Sequence, residues 1–246
     1  MLAAERRDFL LARLEADGKL VAKQLATELG VAEDSIRRDL REMAAAGLCL
    51  RVYGGALPVS PAVADYATRA TVATSSKERV AVAAAALIRR GHTVLLDGGT
   101  TALAVTAALP PDLEATIVTH SPTVAAALVS HPCVDVYVLG GRLFKHSAVT
   151  CGAAAAEAAQ GVTADLFLLG VTGVHHEAGL TTGDPDEAAM KRTLASRAAE
   201  TYVLASSEKI GAASPFLVLP PDRVTAIITD APPAHPALTG LTVIPA

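Results

Sequence analysis

Apolar positions near the start of the chain recur at helical spacing and are interrupted three times by glycine. Leu10 and Leu14 share one face of a first helix that stops at Gly18. Val21, Leu25 and Leu29 keep i, i+4, i+8 register before Gly30, and Ile36, Leu40 and Met43 face one way along a third helix before Gly47. Glycine takes the left-handed backbone past a helix end at no steric cost, so each one predicts a stop. Only Val31 and Ala32 separate Gly30 from the third helix, a turn tight enough to cross two helices steeply. Residues 48–53 then alternate and meet Gly54-Gly55, which suits a small β-wing. Two prolines within residues 57–61 discourage helix and sheet and predict a connector.

Beyond the connector, short β-rich runs alternate with helical ones. Strands are expected near 93–96, 115–119, 134–139, 165–170, 201–205 and 224–229, with helices near 77–90, 101–109, 122–130, 153–160 and 186–200. Such alternation implies a mainly parallel sheet covered on both faces. The expected fold class is therefore α/β: an N-terminal winged helix-turn-helix over residues 1–57, a linker over 58–73, and an open, mainly parallel α/β domain over 74–246.

Composition sharpens this division. Apolar residues at 51% against 19% charged supply a packed core and exclude global disorder. Aromatics at 3%, with no Trp, leave that core to Ala, Val and Leu. A net charge of −4 provides no general basic field, so any contact with nucleic acid needs a local patch. Residues 1–57 hold nine basic and nine acidic side chains, leaving 12 and 16 for the rest. The longest apolar run, residues 80–88, falls short of the about 20 that a membrane span needs. The first residues lack the apolar stretch of a secretion signal. Cys49, Cys133 and Cys151 have no paired spacing, which argues against a disulfide frame or a zinc site and for small apolar roles in the core. A cytoplasmic protein without a membrane partner is expected.

Helical geometry places Asp34, Arg38 and Arg41 opposite the inward face of the third helix, with Ser35 and Arg37 on its flanks. On the second helix of a tight helix-turn-helix, that face suits a DNA major groove. Arginine can bond guanine bidentately, and Ser or Arg can hold phosphate. A lone amphipathic helix with such a face is ordinarily just solvated surface. Three glycine-stopped helices, the tight turn and a basic wing carrying Arg51 together favour DNA.

The segment Val31-Ala32-Glu33-Asp34-Ser35-Ile36-Arg37-Arg38-Asp39-Leu40, followed by Gly47 and Arg51-Val52-Tyr53-Gly54-Gly55-Ala56, closely resembles the DeoR-type winged helix of bacterial transcription regulators. Ala32 departs from that pattern, standing where a capping serine is usual.

In the second half, five expected strands end in small, hydroxyl or glycine residues: at Asp97-Gly98-Gly99-Thr100-Thr101, Thr119-His120-Ser121, Gly140-Gly141-Arg142, Gly170-Val171-Thr172-Gly173 and Ser206-Ser207-Glu208-Lys209. Ligands of open parallel sheets sit at the carboxyl ends of the strands. Gly98 and Gly99 admit backbone close to an anion, while Thr100 and Thr101 open a helix whose free amides favour phosphate. Lys209 would add a positive charge, and Asp97 would accept sugar hydroxyls. Thr119, Gly140, Gly141, Gly170 and Thr172 complete the candidate site. A single glycine after a strand is more often a plain turn; five in succession point to a shared anion or polyol site.

These segments, with Gly179-Leu180-Thr181, Glu187, Lys191 and Lys209, also follow an order similar to that of DeoR-type effector domains. The resemblance covers about residues 5–230. It implies a domain similar to pentose-phosphate isomerases that binds a phosphorylated sugar. His120 and the Ser206–Glu208 stretch depart from the usual pattern. Glu187 and Lys191 are i, i+4 on one helix, which admits a surface ion pair as readily as an effector or interdomain contact. Tyr66 and Arg69 in the linker are read as interdomain packing, not ligand contacts. His175 and His176 are expected to point apart in a loop.

Proton transfer beside a carbonyl needs a positioned carboxylate. The similar isomerases carry an acidic loop where this chain has Gly170-Val171-Thr172-Gly173-Val174, which holds no ionisable group. The expectation is a regulator that is not an enzyme and takes no cofactor or metal. It would be a repressor of a carbohydrate operon, binding double-stranded operator DNA as a homo-oligomer under control of a sugar phosphate. Two alternatives remain: a sugar-phosphate isomerase with an appended DNA-binding domain, and a metabolite-binding module whose helical head contacts protein.

Overall fold

The structure, a computed structural model, describes residues 2–246. Its first unit contains α1 (Ala3–Asp17), β1 (Leu20–Val21), α2 (Ala22–Leu29), α3 (Glu33–Ala45), β2 (Leu50–Val52) and β3 (Gly55–Leu57). Leu10, Leu14, Leu25, Ile36, Leu40 and Met43 converge on one small core. Periodicity misses β1. Val21 fits the apolar stripe of the second helix, yet it pairs with Gly55, and Leu20 pairs with Ala56, placing β1 on the free edge of the wing strand β3. Asp39, a charged residue amid the arginines of α3, is buried and paired with Arg6 of α1 at 2.5 Å. It ties the two helices together.

Ala32, the N-cap residue just before α3, has extended backbone and no side chain able to cap the free amides. Replacing Ala32 with serine is expected to stabilise the winged helix by about 1 kcal/mol. Thermal unfolding of the full chain checks this; a lower midpoint in Ala32→Ser would contradict the cap argument.

The connector carries more structure than its prolines suggested. Pro61–Val63 forms a 3-10 turn capped by Ser60, and α4 (Tyr66–Thr71) is capped by Asp65. Pro61 sits at the first position of its turn, where a missing N–H costs nothing.

The remaining elements are α5 (Thr74–Ala85), β4 (Thr93–Leu96), α6 (Thr100–Ala108), β5 (Ala115–Thr119), α7 (Pro122–Leu128), β6 (Val134–Val138), β7 (Arg142–Phe144), β8 (Val149–Cys151), α8 (Ala153–Gln160), β9 (Ala164–Gly170), β10 (Gly173–His175), β11 (Gly179–Thr182), α9 (Pro185–Ala195), β12 (Ala198–Leu204), β13 (Phe216–Leu219), β14 (Ala226–Thr229) and β15 (Val243–Pro245). Seven strands form one sheet in the order β15-β14-β12-β9-β4-β5-β6. Every pairing in it is parallel. All six expected strands lie there. The edge strand β15 and the small antiparallel sheets β7-β8 and β10-β11-β13 are too short to show a period. The helix expected over 186–200 ends at Ala195, because residues from Ala198 onward pair with β9.

Successive residues of the central strands face opposite layers. Leu95, Phe167, Leu169, Val203 and Ile227 pack with Ala155, Ala188 and Leu194 of α8 and α9. Val94, Leu96, Leu168, Leu204 and Ile228 pack with Val80, Val105 and Val124 of α5, α6 and α7. Each large side chain so buried contributes about 1.5–3 kcal/mol. Both faces are thus closed, and the carboxyl ends of the strands are left to build a site.

Candidate functional site

Asp97, at the end of β4, is wholly buried at the centre of this edge. Its Oδ1 accepts from the Gly98 amide and faces His120 Nε2, both at 2.8 Å. Its Oδ2 accepts from the Gly170 amide at 2.8 Å and from Lys191 Nζ at 2.5 Å. Four partners fill the acceptor capacity of a carboxylate, so the expected role of receiving sugar hydroxyls does not fit. Asp97 instead supports the floor of the site. Burial works against its charge, but the Lys191 charge and the His120 and Lys191 hydrogen bonds outweigh it and hold the carboxyl well below the usual range. Burial likewise opposes the Lys191 ammonium, and Asp97 and Glu187 hold its pKa above the ordinary value.

The turn after Asp97 requires its glycines. A Cβ on Gly98 would sit 2.1 Å from a Val149 methyl, and Gly99 has φ +97. The chain then enters α6, whose first residues, Thr100 and Thr101, border a small cavity of about 30 Å³. Four cations line it: Arg69, Lys77, Lys191 and Lys209. Lys209 Nζ donates to Thr101 Oγ1 at 3.1 Å. Its burial pushes the ammonium pKa down to about 8, against the pull of Glu208. Gly170 and Thr172 also reach the wall.

Glu187 and Lys191 are 7% and 3% exposed, so they are no surface pair. Lys191 Nζ lies 3.3 Å from Glu187 Oε1, while Glu187 Oε2 accepts from Thr182 at 2.9 Å and Ser147 at 3.2 Å. The loop bearing Lys209 is held by Asp230, which accepts from the Ser207 amide at 2.9 Å and from Ser76 at 2.5 Å.

Thr119, Gly140 and Gly141 lie off this wall. Strand β8 occupies their end of the sheet: Thr150 donates its amide to His120 O at 2.8 Å and its hydroxyl to Leu139 O at 2.7 Å. Gly140 and Gly141 instead bend the chain into β7. Arg69, read as interdomain packing, lines the cavity, as does Glu208 of the strand-end segment before Lys209; so do Lys77, Ser147 and Thr182, which sequence reasoning did not place in the site. They reach the wall from separate elements, α5, the β7–β8 turn, β11 and the turn after β12, which only the fold brings together. The His175 and His176 rings stack with centroids 4.6 Å apart, because the chain turns directly after β10. Cys49 and Cys151 are buried, whereas Cys133 is exposed, against the core role expected of it.

In the winged helix, Asp34, Arg37, Arg38 and Arg41 are exposed on α3, Ser35 is half-buried, and Arg51 is exposed on β2. Arg37 is engaged by Glu33 at 2.7 Å. Arg38, Arg41 and Arg51 make no ion pair among the described residues. Tyr53, also not foreseen, projects fully exposed from the wing tip.

A winged helix with unspent arginines, joined to a sheet with a cation-lined cleft, defines a ligand-sensing DNA-binding regulator. Comparison with known proteins gives the family. Residues 6–62 match the DeoR-like helix-turn-helix domain, and residues 72–231 match the DeoR C terminal sensor domain. The chain is 31% identical to the putative aga operon transcriptional repressor of Escherichia coli O157:H7, over 97% of this chain and 90% of that protein. It is 29% identical to the glycerol-3-phosphate regulon repressor of Escherichia coli K12, over 98% and 96%. Among solved structures it is similar to ribose 5-phosphate isomerase A from Methanocaldococcus jannaschii, with 17% identity, 54% and 52% of the two chains covered and a TM-score of 0.41. The chain belongs to the DeoR family: it is a DNA-binding transcriptional regulator, not an enzyme. No helix among the described residues is long and apolar enough to cross a membrane.

Proposed function

We propose that this regulator is a cytoplasmic repressor of a carbohydrate-metabolism operon, released from its operator by a phosphorylated sugar. The observation that carries this reading is the cradle itself, where buried Lys209 and half-buried Arg69 face the amide end of α6. Helix termini and cations of this kind favour phosphate, and hydroxyls such as Thr101 and Thr172 suit a polyol. The names of the two relatives, which concern the aga operon and glycerol 3-phosphate, agree with it. On the DNA side, Asp34, Ser35, Arg37, Arg38, Arg41 and Arg51 form the reading surface.

A homo-oligomer follows from the way helix-turn-helix proteins read paired half-sites. Strand β6 supports it, being an open edge with Val136, Tyr137 and Val138 exposed.

The test is a mobility shift on the chain's own upstream DNA, with glycerol 3-phosphate, glucose 6-phosphate and fructose 1-phosphate added in turn. One of them should weaken binding about 5–150-fold, the usual range of allosteric coupling. Lys209→Met should bind the same DNA as tightly as wild type and lose the response. Retention of the full response would remove Lys209 from the site. Because its ammonium titrates near pH 8, release should also weaken as pH rises through that value. Failure to bind the upstream DNA in low salt, where phosphate contacts are strongest, would overturn the reading.

A further inference from the structure

The side chain of His120, just past the end of β5, is fully buried, and both of its ring nitrogens meet oxygen. Nδ1 lies 2.9 Å from the carbonyl oxygen of Thr150, and Nε2 lies 2.8 Å from Asp97 Oδ1. A carbonyl oxygen only accepts, and so does an ionised carboxylate. Asp97 is ionised, since its oxygens also receive the Gly98 and Gly170 amides and the Lys191 ammonium. A neutral imidazole has one N–H. Either neutral tautomer would therefore set two lone pairs against each other at hydrogen-bond distance, in an interior where an unmet polar contact is most costly.

The charges of the cluster point the same way independently. Asp97 and Glu187 bring two negative charges, and Lys191, in contact with both, brings one positive charge. All three side chains are buried. A neutral His120 would leave one net negative charge in the interior, which is expensive; an imidazolium balances the count. Beyond these groups, β8 carries the Cys151 thiol next to Thr150. Burial, with the Glu187 charge behind it, pushes that thiol up to about 12, so it stays neutral. Among the described residues, Arg69, Lys77 and Lys209 line the neighbouring cavity and form no ion pair with the cluster.

The ring also sits at a junction. Strand β8 is joined to the end of β5 through Thr150, whose amide and hydroxyl donate to the His120 carbonyl at 2.8 and 3.1 Å while its own carbonyl faces Nδ1. The turn between β7 and β8 bears Ser147, which borders the cavity and donates to Glu187 at 3.2 Å. His120 thus connects two parts of the site: Asp97 beneath the cavity and the β7–β8 hairpin beside it.

We propose that His120 is held as a doubly protonated imidazolium, a positioning residue that keeps Asp97 an anion and clips the β7–β8 hairpin to the carboxyl edge of the sheet. Loss of one proton from the ring would free either Asp97 or Thr150 from it, which makes the seating of this cavity wall depend on that proton. The inference goes beyond the sensor reading, since it holds whatever ligand enters the cavity.

Nitrogen-15 NMR of the full-length protein at neutral pH tests the charge state directly. Both His120 ring nitrogens should resonate as protonated, each coupled to its own proton. One nitrogen in the unprotonated position would overturn the proposal. The pair is assigned by its loss in His120→Asn or, should that variant not fold, by the proximity of the Nδ1 proton to Thr150. Stability supplies a second readout, which a purely structural role would not move. A free imidazole has lost its proton by about pH 8, so folding there would take one up at His120. The unfolding equilibrium of wild type relative to His120→Asn should accordingly rise close to tenfold per pH unit between about pH 7 and about pH 8. A ratio that stays flat over that interval would contradict the imidazolium. In the same variant the β8 amides should exchange several-fold faster than in wild type, measured against those of β14 as the control for global opening. Equal β8 exchange in the two proteins would sink the role of the ring as a clip.

Discussion

Asp97→Ala is expected to destabilise the sensor domain by about 3–5 kcal/mol, the usual result of removing one partner from a buried ion pair. The substitution leaves the Lys191 ammonium with Glu187 alone, and leaves His120 Nε2 and the amides of Gly98 and Gly170 without their acceptor. For a chain of this size about 2–4 °C is lost per kcal/mol, so the unfolding midpoint should fall on the order of 10 °C. The winged helix has its own core, so the loss should appear in the transition of the sheet domain. The pH dependence carries the same signature. Asp97 has a folded pKa below its unfolded value of about 3.9, so its contribution is complete above that value and is lost as the solution is acidified through the folded one. Wild type should therefore lose its advantage over Asp97→Ala progressively below about pH 4, where the free carboxylate begins to protonate. Calorimetry at several pH values measures it. A midpoint within a degree or so of wild type, or a difference between the two that ignores pH, would show that Asp97 does not carry the floor of the cradle.

The second large effect concerns DNA. Arg38→Ala should cost operator binding about 1–3 kcal/mol and relax specificity at one base pair if the guanidinium reads a base edge. Arg37→Ala should cost less, because Arg37 is already engaged by Glu33 through Nη2 at 2.7 Å and Nε at 3.1 Å. Arg38 is exposed and unpaired, so its removal should leave unfolding unchanged. Titrations against a set of single-base operator variants separate the cases. A uniform loss across the set, with a salt slope reduced by about one, would make Arg38 a phosphate contact. Binding unchanged on every variant would remove α3 from the interface.

The sequence foresaw the fold well where a repeating physical constraint spans many residues. Helices α1 to α3 were legible from apolar spacing and glycine stops, and the six longest-patterned strands from β-rich runs bounded by turns. Strands β1, β7 and β15 were not, since two or three residues carry no period and owe their state to a partner elsewhere in the chain. The site was partly legible. Gly98, Gly99, Thr100, Thr101, Gly170, Thr172 and Lys209 do meet around one cavity. Glu187 and Lys191 showed their spacing but not their burial.

What composition and local order determined by themselves was the class of each segment: a charged three-helix head, an alternating α/β body, and anion-friendly turns after its strands. These follow from short-range rules of periodicity, steric freedom and capping, which act within a few residues. Tertiary structure alone decided which turns share a cavity, that Asp97 lies beneath the floor and not on it, and that Arg69 hangs over it. Those outcomes depend on the strand order, which brings β4 between β9 and β5, and on contacts between distant residues, such as Asp97 with Lys191 and Thr101 with Lys209. Such contacts are settled by packing and desolvation in the folded chain, where a carboxylate buried beside Lys191 and a guanidinium close to Gly99 acquire roles that their neighbours in sequence do not specify.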